Sequence, residues 1–195
     1  MLVLSGPSGV GKGYLGKYLS ERYLCERLIA TTTRPPRPGE KDGRDSRFIS
    51  EEEFTIMQQS GKLFMCNTFF NARYGFDHEK LKEIYERESV PIVEIYTPTI
   101  HLFVQDFPDS YRVFLKPESL ELLRQRMLER KQDSETLCYR LQKAEEEIDF
   151  YLREGKVYYQ YSYTVTNENF DLLVSTIVAD CSLRSRSSLS QGSSS

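Results

Sequence analysis

Two groups of residues have the types and spacing to do chemistry together. Gly6-Pro7-Ser8-Gly9-Val10-Gly11-Lys12 fits the pattern G-x-x-x-x-G-K and lies between an apolar run and a helical stretch, the setting a phosphate-binding loop requires. Glycines let the chain curl so that successive amides point at phosphate oxygens, the helix N-terminus adds partial positive charge, and Lys12 adds a full one. These residues predict a cradle for the phosphates of ATP. The second group is cationic: Arg34 and Arg37 stand three residues apart, and further arginines run from Arg126 to Arg140. Moving a phosphoryl group between two anions needs positive charge at both ends and along the path. A single arginine is ordinarily a solvated surface residue, so residue type alone assigns none of them to this work.

The loop departs from its pattern at one point. Lys12 is followed by Gly13 and Tyr14, where a Ser or Thr hydroxyl ordinarily reaches magnesium. Water can fill that position, since magnesium commonly keeps several waters, so weaker or slower metal-assisted chemistry is expected rather than none.

Positioning these groups needs a sheet with helices after its strands. Met1-Leu2-Val3-Leu4 is a short continuous apolar run, as in a strand buried on both faces, and a helix is expected from Lys12 to about Tyr23. Apolar segments at Leu28 to Ala30, Ile92 to Ile95, Val113 to Leu115 and Tyr163 to Val165 alternate with helical patterns, which predicts an α/β fold with a mostly parallel sheet. Between Arg34 and Phe76 the turn signals Pro35-Pro36, Pro38-Gly39 and Asp42-Gly43 are followed by a short helix near Glu51 to Gln59 and a strand pattern from Leu63 to Phe70. That change of texture reads as an inserted subdomain. From Glu118 to Glu154 two helical patterns carry Leu120, Leu123 and Met127, then Leu137, Leu141 and Ile148, with charged outer faces.

Composition narrows the function class. The chain has 195 residues, 39% apolar and 28% charged, as expected for one ordinary globular domain. A net charge of −3 gives no reason to expect nucleic acid as a partner. No run nears the roughly 18 apolar residues of a membrane span, and no room for a signal peptide precedes the loop, so a cytoplasmic setting without a membrane is expected. Cys25, Cys66, Cys138 and Cys181 form no C-x-x-C pair, and only His78 and His101 could complete a metal site, so the cysteines read as reduced core thiols. Residues 182–195, mostly Ser with Arg184 and Arg186, are expected to be a disordered tail.

From Thr31 the chain reads Thr31-Thr32-Thr33-Arg34-Pro35-Pro36-Arg37-Pro38-Gly39-Glu40-Lys41-Asp42-Gly43-Arg44-Asp45. With the loop from Ser5 to Lys12, with Phe48-Ile49-Ser50 and Arg73-Tyr74-Gly75, with the arginines from Arg126 to Arg140 and with Asn167, it closely resembles the guanylate kinase family over residues 1–181. The resemblance implies a P-loop three-layer sandwich whose core is residues 1–31, 80–119 and 143–181. It also implies an inserted acceptor-binding subdomain at about 32–79 and a helical lid at about 120–142. It implies an ATP site of Gly6, Pro7, Ser8, Gly9, Val10, Gly11, Lys12, Gly13, Tyr14 and Asn167. Arg34, Arg37 and Tyr74 would hold the acceptor phosphate, Lys12, Arg130, Arg140 and Glu94 would serve the transfer, and Glu94 would hold magnesium directly or through water. The expected partners are ATP and a small phosphorylated acceptor, with a nucleoside monophosphate implied, in a monomer or homodimer.

The same resemblance shows where the chain differs. The family reads guanine with a Ser ahead of T-T-R, a Tyr after G-x-D, a Glu in the strand of the insertion, and a Ser or Thr after Y-G. Here Ala30, Ser46, Met65 and Phe76 stand at those positions, and Glu94-Ile95-Tyr96 aligns with the family's D-x-D. Each exchange at the guanine positions removes or shrinks a hydrogen-bonding group, and losing one partner of a charged hydrogen bond costs about 1.5 to 3 kcal/mol. Two functions stay open: an ATP-dependent phosphotransferase acting on GMP or dGMP with altered or relaxed base selectivity, or a catalytically weak domain that binds a phosphorylated peptide or protein.

Overall fold

The computed structural model describes residues 1–69, 71–128, 134–166 and 168–186. In chain order the first elements are β1 (Leu2–Ser5), α1 (Lys12–Arg22), β2 (Cys25–Arg27), β3 (Thr31–Thr32), β4 (Arg47–Phe48), α2 (Glu51–Gln59), β5 (Leu63–Phe69) and β6 (Ala72–Asp77). They are followed by α3 (His78–Glu86), β7 (Val90–Glu94), α4 (Ile100–Asp106), β8 (Tyr111–Lys116), α5 (Leu120–Leu128), α6 (Ser134–Arg153), β9 (Tyr161–Thr164) and α7 (Phe170–Asp180). The chain divides into two compact units, residues 1–25 with everything from Ile92 onward, and Glu26–Pro91.

The first unit is built on a five-stranded sheet in the order β2-β7-β1-β8-β9. The apolar opening run becomes its central strand, with Leu2, Val3 and Leu4 fully buried. β1 runs parallel to β7 and to β8, pairing Leu4 with Glu94 and with Val113, and β8 runs parallel to β9. The fold is α/β with a mostly parallel central sheet, as the alternation predicts. The segment Leu28 to Ala30 is not a strand, because the sheet's edge is the preceding β2. Its apolar character instead buries Leu28, and the Ala30 carbonyl accepts the Arg47 amide at 2.9 Å.

Helix α6 buries Leu137, Arg140, Ala144, Glu147 and Tyr151, spaced alternately three and four residues apart, along one stripe. Leu141 and Ile148, which the sequence pattern put on the inner face, flank that stripe half-buried. The stripe thus carries two charged side chains inward, which are normally buried only when paired or hydrogen-bonded.

The second unit has a four-stranded sheet in the order β4-β3-β6-β5, antiparallel except for the β3–β4 pair. Ser50 caps α2 by accepting the Glu53 amide at 3.1 Å, and Glu51, Glu52 and Glu53 favour the positive N-terminus. The helix buries Phe54 and Met57 against Leu63, with Ile49 and Cys66 packed beside them. The β5–β6 register shifts between Phe64 and Asn67, and Met65 within that irregularity has φ of 51°, a left-handed backbone that costs a non-glycine residue energy.

Two expectations are corrected. Residues 182–186 of the stretch assigned to a tail are folded: Leu183 is buried, the Leu24 amide donates to the Arg184 carbonyl at 2.7 Å, and Arg186 Nε donates to the Ser20 carbonyl at 2.9 Å. One buried apolar side chain and backbone groups at the end of α1 and just after it supply what the serine-rich composition does not. The four cysteines are free, but only Cys25 is buried, and Cys138 on α6 is exposed. Among the described residues no helix is long and apolar enough to cross a membrane.

Candidate active site

Strand β1 delivers the chain to Gly6, and helix α1 receives it at Lys12. Gly6 has φ of 130°, and a Cβ there would lie 2.2 Å from the Leu115 carbonyl oxygen on β8, so only glycine fits. The peptide planes on both sides of it are held: the Gly6 amide donates to Thr97 Oγ1 at 3.2 Å, while Lys12 Nζ donates to the Gly6 carbonyl and, at 3.2 Å, to that of Pro7. The lysine side chain is folded back over the loop, which keeps its charge at the cradle. Gly11 provides no side-chain cap to α1, and no acidic residue lies in the first turn, so the helix amides and their positive potential remain for an anion.

Glu94 ends β7, half-buried, and its Oε1 would lie 3.7 Å from a Cβ on Gly13. A carboxylate therefore stands beside the residue after Lys12, where the missing hydroxyl would have been. Among the described residues no three His, Cys, Asp or Glu side chains cluster as a cage for a metal. One carboxylate beside a phosphate cradle still fits magnesium, which is commonly held by one or two carboxylates together with substrate phosphates and water.

A cavity of about 450 Å³ opens beside the loop, lined by Gly9, Gly11, Tyr14, Arg126, Thr166 and Phe170 among others. That volume suits a small ligand. Tyr14 is 65% exposed, and its ring centre lies 5.3 Å from that of Phe170, which meets Tyr18 edge-on at 5.1 Å. Arg126, on α5, was only one of several arginines in the sequence; the fold brings it to the cavity. Arg130 and Asn167 lie outside the described residues. Arg140 lies in the buried stripe of α6, 3% exposed.

Glu147 is a residue that sequence reasoning missed. It is buried, and its Oε2 accepts both the Thr97 hydroxyl at 2.5 Å and the Thr97 amide at 3.2 Å. Burial pushes its carboxyl above the usual range, against the opposing pull of the Lys12 charge and the Thr97 donors. The same environment raises the Tyr96 phenol, by burial first and then by the charges of Glu147 and Glu146. The signal available in the sequence was the spacing of Arg140 and Glu147, seven apart and in phase with Leu137, Ala144 and Tyr151.

In the second unit the cations are organised by another residue left unassigned, Glu40. Its carboxylate takes Arg34 Nη2 at 3.1 and 2.9 Å and the Arg37 amide at 2.8 Å, with Arg37 Nη1 3.7 Å away. Burial opposes ionisation of Glu40, but the Arg37 amide and the Arg34 guanidinium outweigh it and hold the carboxyl below its ordinary value. Arg34 also donates to the Pro35 carbonyl at 2.8 Å and lies 5.4 Å over the Phe48 ring. Thr32 pairs with Phe48 on one side and with Tyr74 on the other, so these three side chains share one face of the sheet. The Arg34 guanidinium and the Tyr74 hydroxyl thus belong to one surface.

The sequence model of the family described as guanylate kinase matches residues 1–179. The chain belongs to the guanylate kinase family. A guanylate kinase of Synechococcus sp. strain JA-3-3Ab is 35% identical across 88% of this chain and 76% of its own length, and one of Synechocystis sp. strain PCC 6803 is 33% identical across 91% of each. The crystal structure of guanylate kinase from Anaplasma phagocytophilum superposes with a TM-score of 0.72 at 25% identity, covering 92% of this chain and 85% of that one.

Among the positions where this guanylate kinase family member differs, Phe76 is 7% exposed and packs on Phe64 with ring centres 5.6 Å apart. It lies on the Tyr74 face and fills space there with hydrocarbon. Met65 sits at the strained bulge, and its carbonyl accepts from the Asn67 side chain at 3.3 Å. Ala30 and Ser46 are half-buried, and their carbonyls bond to the amides of Arg47 and Gly43, each at 2.9 Å.

Proposed function

We propose that this guanylate kinase family member transfers the γ-phosphoryl group of ATP to a nucleoside monophosphate, with GMP and dGMP as nominal acceptors and with relaxed base selectivity. The observation that carries the reading is the contrast on one face of the inserted sheet. Arg34 and Arg37, read as the phosphate grip together with Tyr74, are gathered around Glu40, while Phe76 and Met65 offer a base no hydroxyl, amide or carboxylate.

In this reading the loop from Gly6 to Lys12 binds the donor phosphates, with Gly13 and Tyr14 at its edge. The cavity bounded by Tyr14, Arg126 and Phe170 takes the rest of the donor, and Asn167 belongs to the same region. Lys12 leaves the Gly6 and Pro7 carbonyls to follow charge onto the transferring group, a differential interaction that lowers the barrier. Residues 32–79 bind the acceptor, and Arg34 and Arg37 hold its phosphate in place as the nucleophile. Arg130 and Arg140, in a lid of residues 120–142, neutralise charge during transfer. Glu94 would hold magnesium, directly or through its waters; bound there, the ion would supply Lewis-acid neutralisation of the phosphates. A built phosphate cradle with a cavity beside it weighs against a domain that only binds a phosphorylated peptide.

The test is turnover with ATP and magnesium against GMP, dGMP, AMP, CMP, UMP and dTMP, with products confirmed by mass. Expected is phosphorylation of GMP and dGMP together with at least one non-guanine acceptor within about 100-fold in kcat/KM, the discrimination left when a polar contact is missing. A preference for guanine beyond about 10,000-fold would mean that other residues read the base and would sink relaxed selectivity.

A further inference from the structure

Gly6 must offer its amide and carbonyl in fixed orientations for the loop to hold phosphate, and its carbonyl accepts from the Lys12 ammonium. The amide side is held by Thr97 Oγ1, a hydroxyl that can turn its proton either toward Gly6 or away. Thr97 is fully buried in the turn after β7, and both its amide and its hydroxyl donate to Oε2 of Glu147. With its proton committed to the carboxylate, the hydroxyl can only present a lone pair to the Gly6 amide.

We infer that Glu147 is a positioning residue for ATP binding: through Thr97 it locks the amide of Gly6, and so ties helix α6 to the first glycine of the phosphate loop. Glu147 contacts no substrate in this scheme. Arg140 precedes it by two turns on the same buried stripe, about 10 Å along the axis, so one helix fixes both the loop and a lid arginine. Removing Glu147 takes away the acceptor that the buried Thr97 amide and hydroxyl share and frees the hydroxyl proton to turn toward the Gly6 amide, which then loses its own acceptor. The property required of residue 147 is an oxygen that accepts, which a glutamine amide also supplies.

The inference rests on the reading of Gly6 to Lys12 as the ATP phosphate cradle, and Lys12→Ala tests that reading by itself. Calorimetric dissociation constants for ATP and for GMP are measured on the full chain for wild type, Glu147→Ala, Glu147→Gln, Thr97→Val and the Thr97→Val/Glu147→Ala double variant. Glu147→Ala and Thr97→Val should each weaken ATP about tenfold, the size expected for one orphaned buried donor, with the GMP constant within threefold of wild type. The double variant should be no weaker than the worse single one, and Glu147→Gln should stay within threefold of wild type. The Gly6 amide resonance should move in the Ala and Val variants and stay in place in the Gln variant. If Glu147→Ala does not fold, Glu147→Gln and Thr97→Val decide the matter. Glutamine as damaging as alanine, additive losses in the double variant, or equal weakening of GMP would each overturn the inference. Intact ATP binding in Lys12→Ala would instead remove the cradle reading on which it stands.

Discussion

The two regions that the proposed function assigns to phosphate are held in place by different means. The loop of the first unit is fixed by a glycine that no other residue can replace and by a hydrogen bond to the buried Thr97, which is held in turn by the buried Glu147. The cations of the second unit are fixed by an ion-pair cluster nearer the surface, with the side chains of Arg34, Glu40 and Arg37 exposed by 14%, 21% and 43%. Buried, directional contacts suit a chemistry that is the same for every acceptor. Ion pairs at a partly wet face hold a phosphate while tolerating change around it, and such pairs individually contribute at most about 1 kcal/mol. The departures from the family pattern at Ala30, Ser46, Met65 and Phe76 all fall in or beside the second kind of region.

The contrast is tested most strongly by Lys12→Ala. Loss of a charge that holds the ATP phosphates and strengthens its contact during transfer should weaken ATP binding and lower kcat by about 100- to 1,000-fold, while the GMP dissociation constant stays within threefold. A comparable loss of GMP affinity would show that the two regions are not separately built. Arg34→Ala should act the other way round and more weakly. It should raise the acceptor KM by about 10- to 100-fold, the range for one hydrogen-bonded charge pair, with the ATP KM little changed. An Arg34→Ala enzyme with unchanged acceptor KM would remove Arg34 from the grip.

Legibility in the sequence followed the same division. Fold class, the opening strand, the loop and the extents of α1 and α2 could be read because each rests on local chemistry: an apolar run, glycine spacing, a capping serine followed by acidic residues. The edge strand was misplaced because Leu28 to Ala30 is apolar for burial and not for pairing, a distinction that periodicity does not carry. Glu147 and Glu40 were missed for a shared reason. Each acts through a side chain distant in sequence or on an irregular loop, and each looked like an ordinary member of a charged stretch. Arg140 and Glu147 lie in phase with Leu137, Ala144 and Tyr151, but the sequence also offered Leu141 and Ile148 as the inner face, and only packing chose between them.

The smallest expected effect concerns Glu40 and pH. Its carboxyl lies below the ordinary 4.5 in the folded chain, so it contributes stability that is fully present above that value and lost as pH falls through its folded value. Because the cluster is partly exposed, the contribution is at most about 1 kcal/mol. Glu40→Gln should therefore lower thermal stability slightly at pH 7, and the difference from wild type should shrink toward zero as the pH is taken below 4.5, since protonated wild type and the variant then both lack the charge. In turnover the same change should raise the acceptor KM by less than Arg34→Ala does, because it loosens the two arginines without removing either. A stability difference that grew on acidification would have the wrong sign for a depressed carboxyl. It would mean that Glu40 is strained against its neighbours rather than organising them, and that the acceptor grip owes its geometry to the Phe48 ring and the Pro35 carbonyl instead.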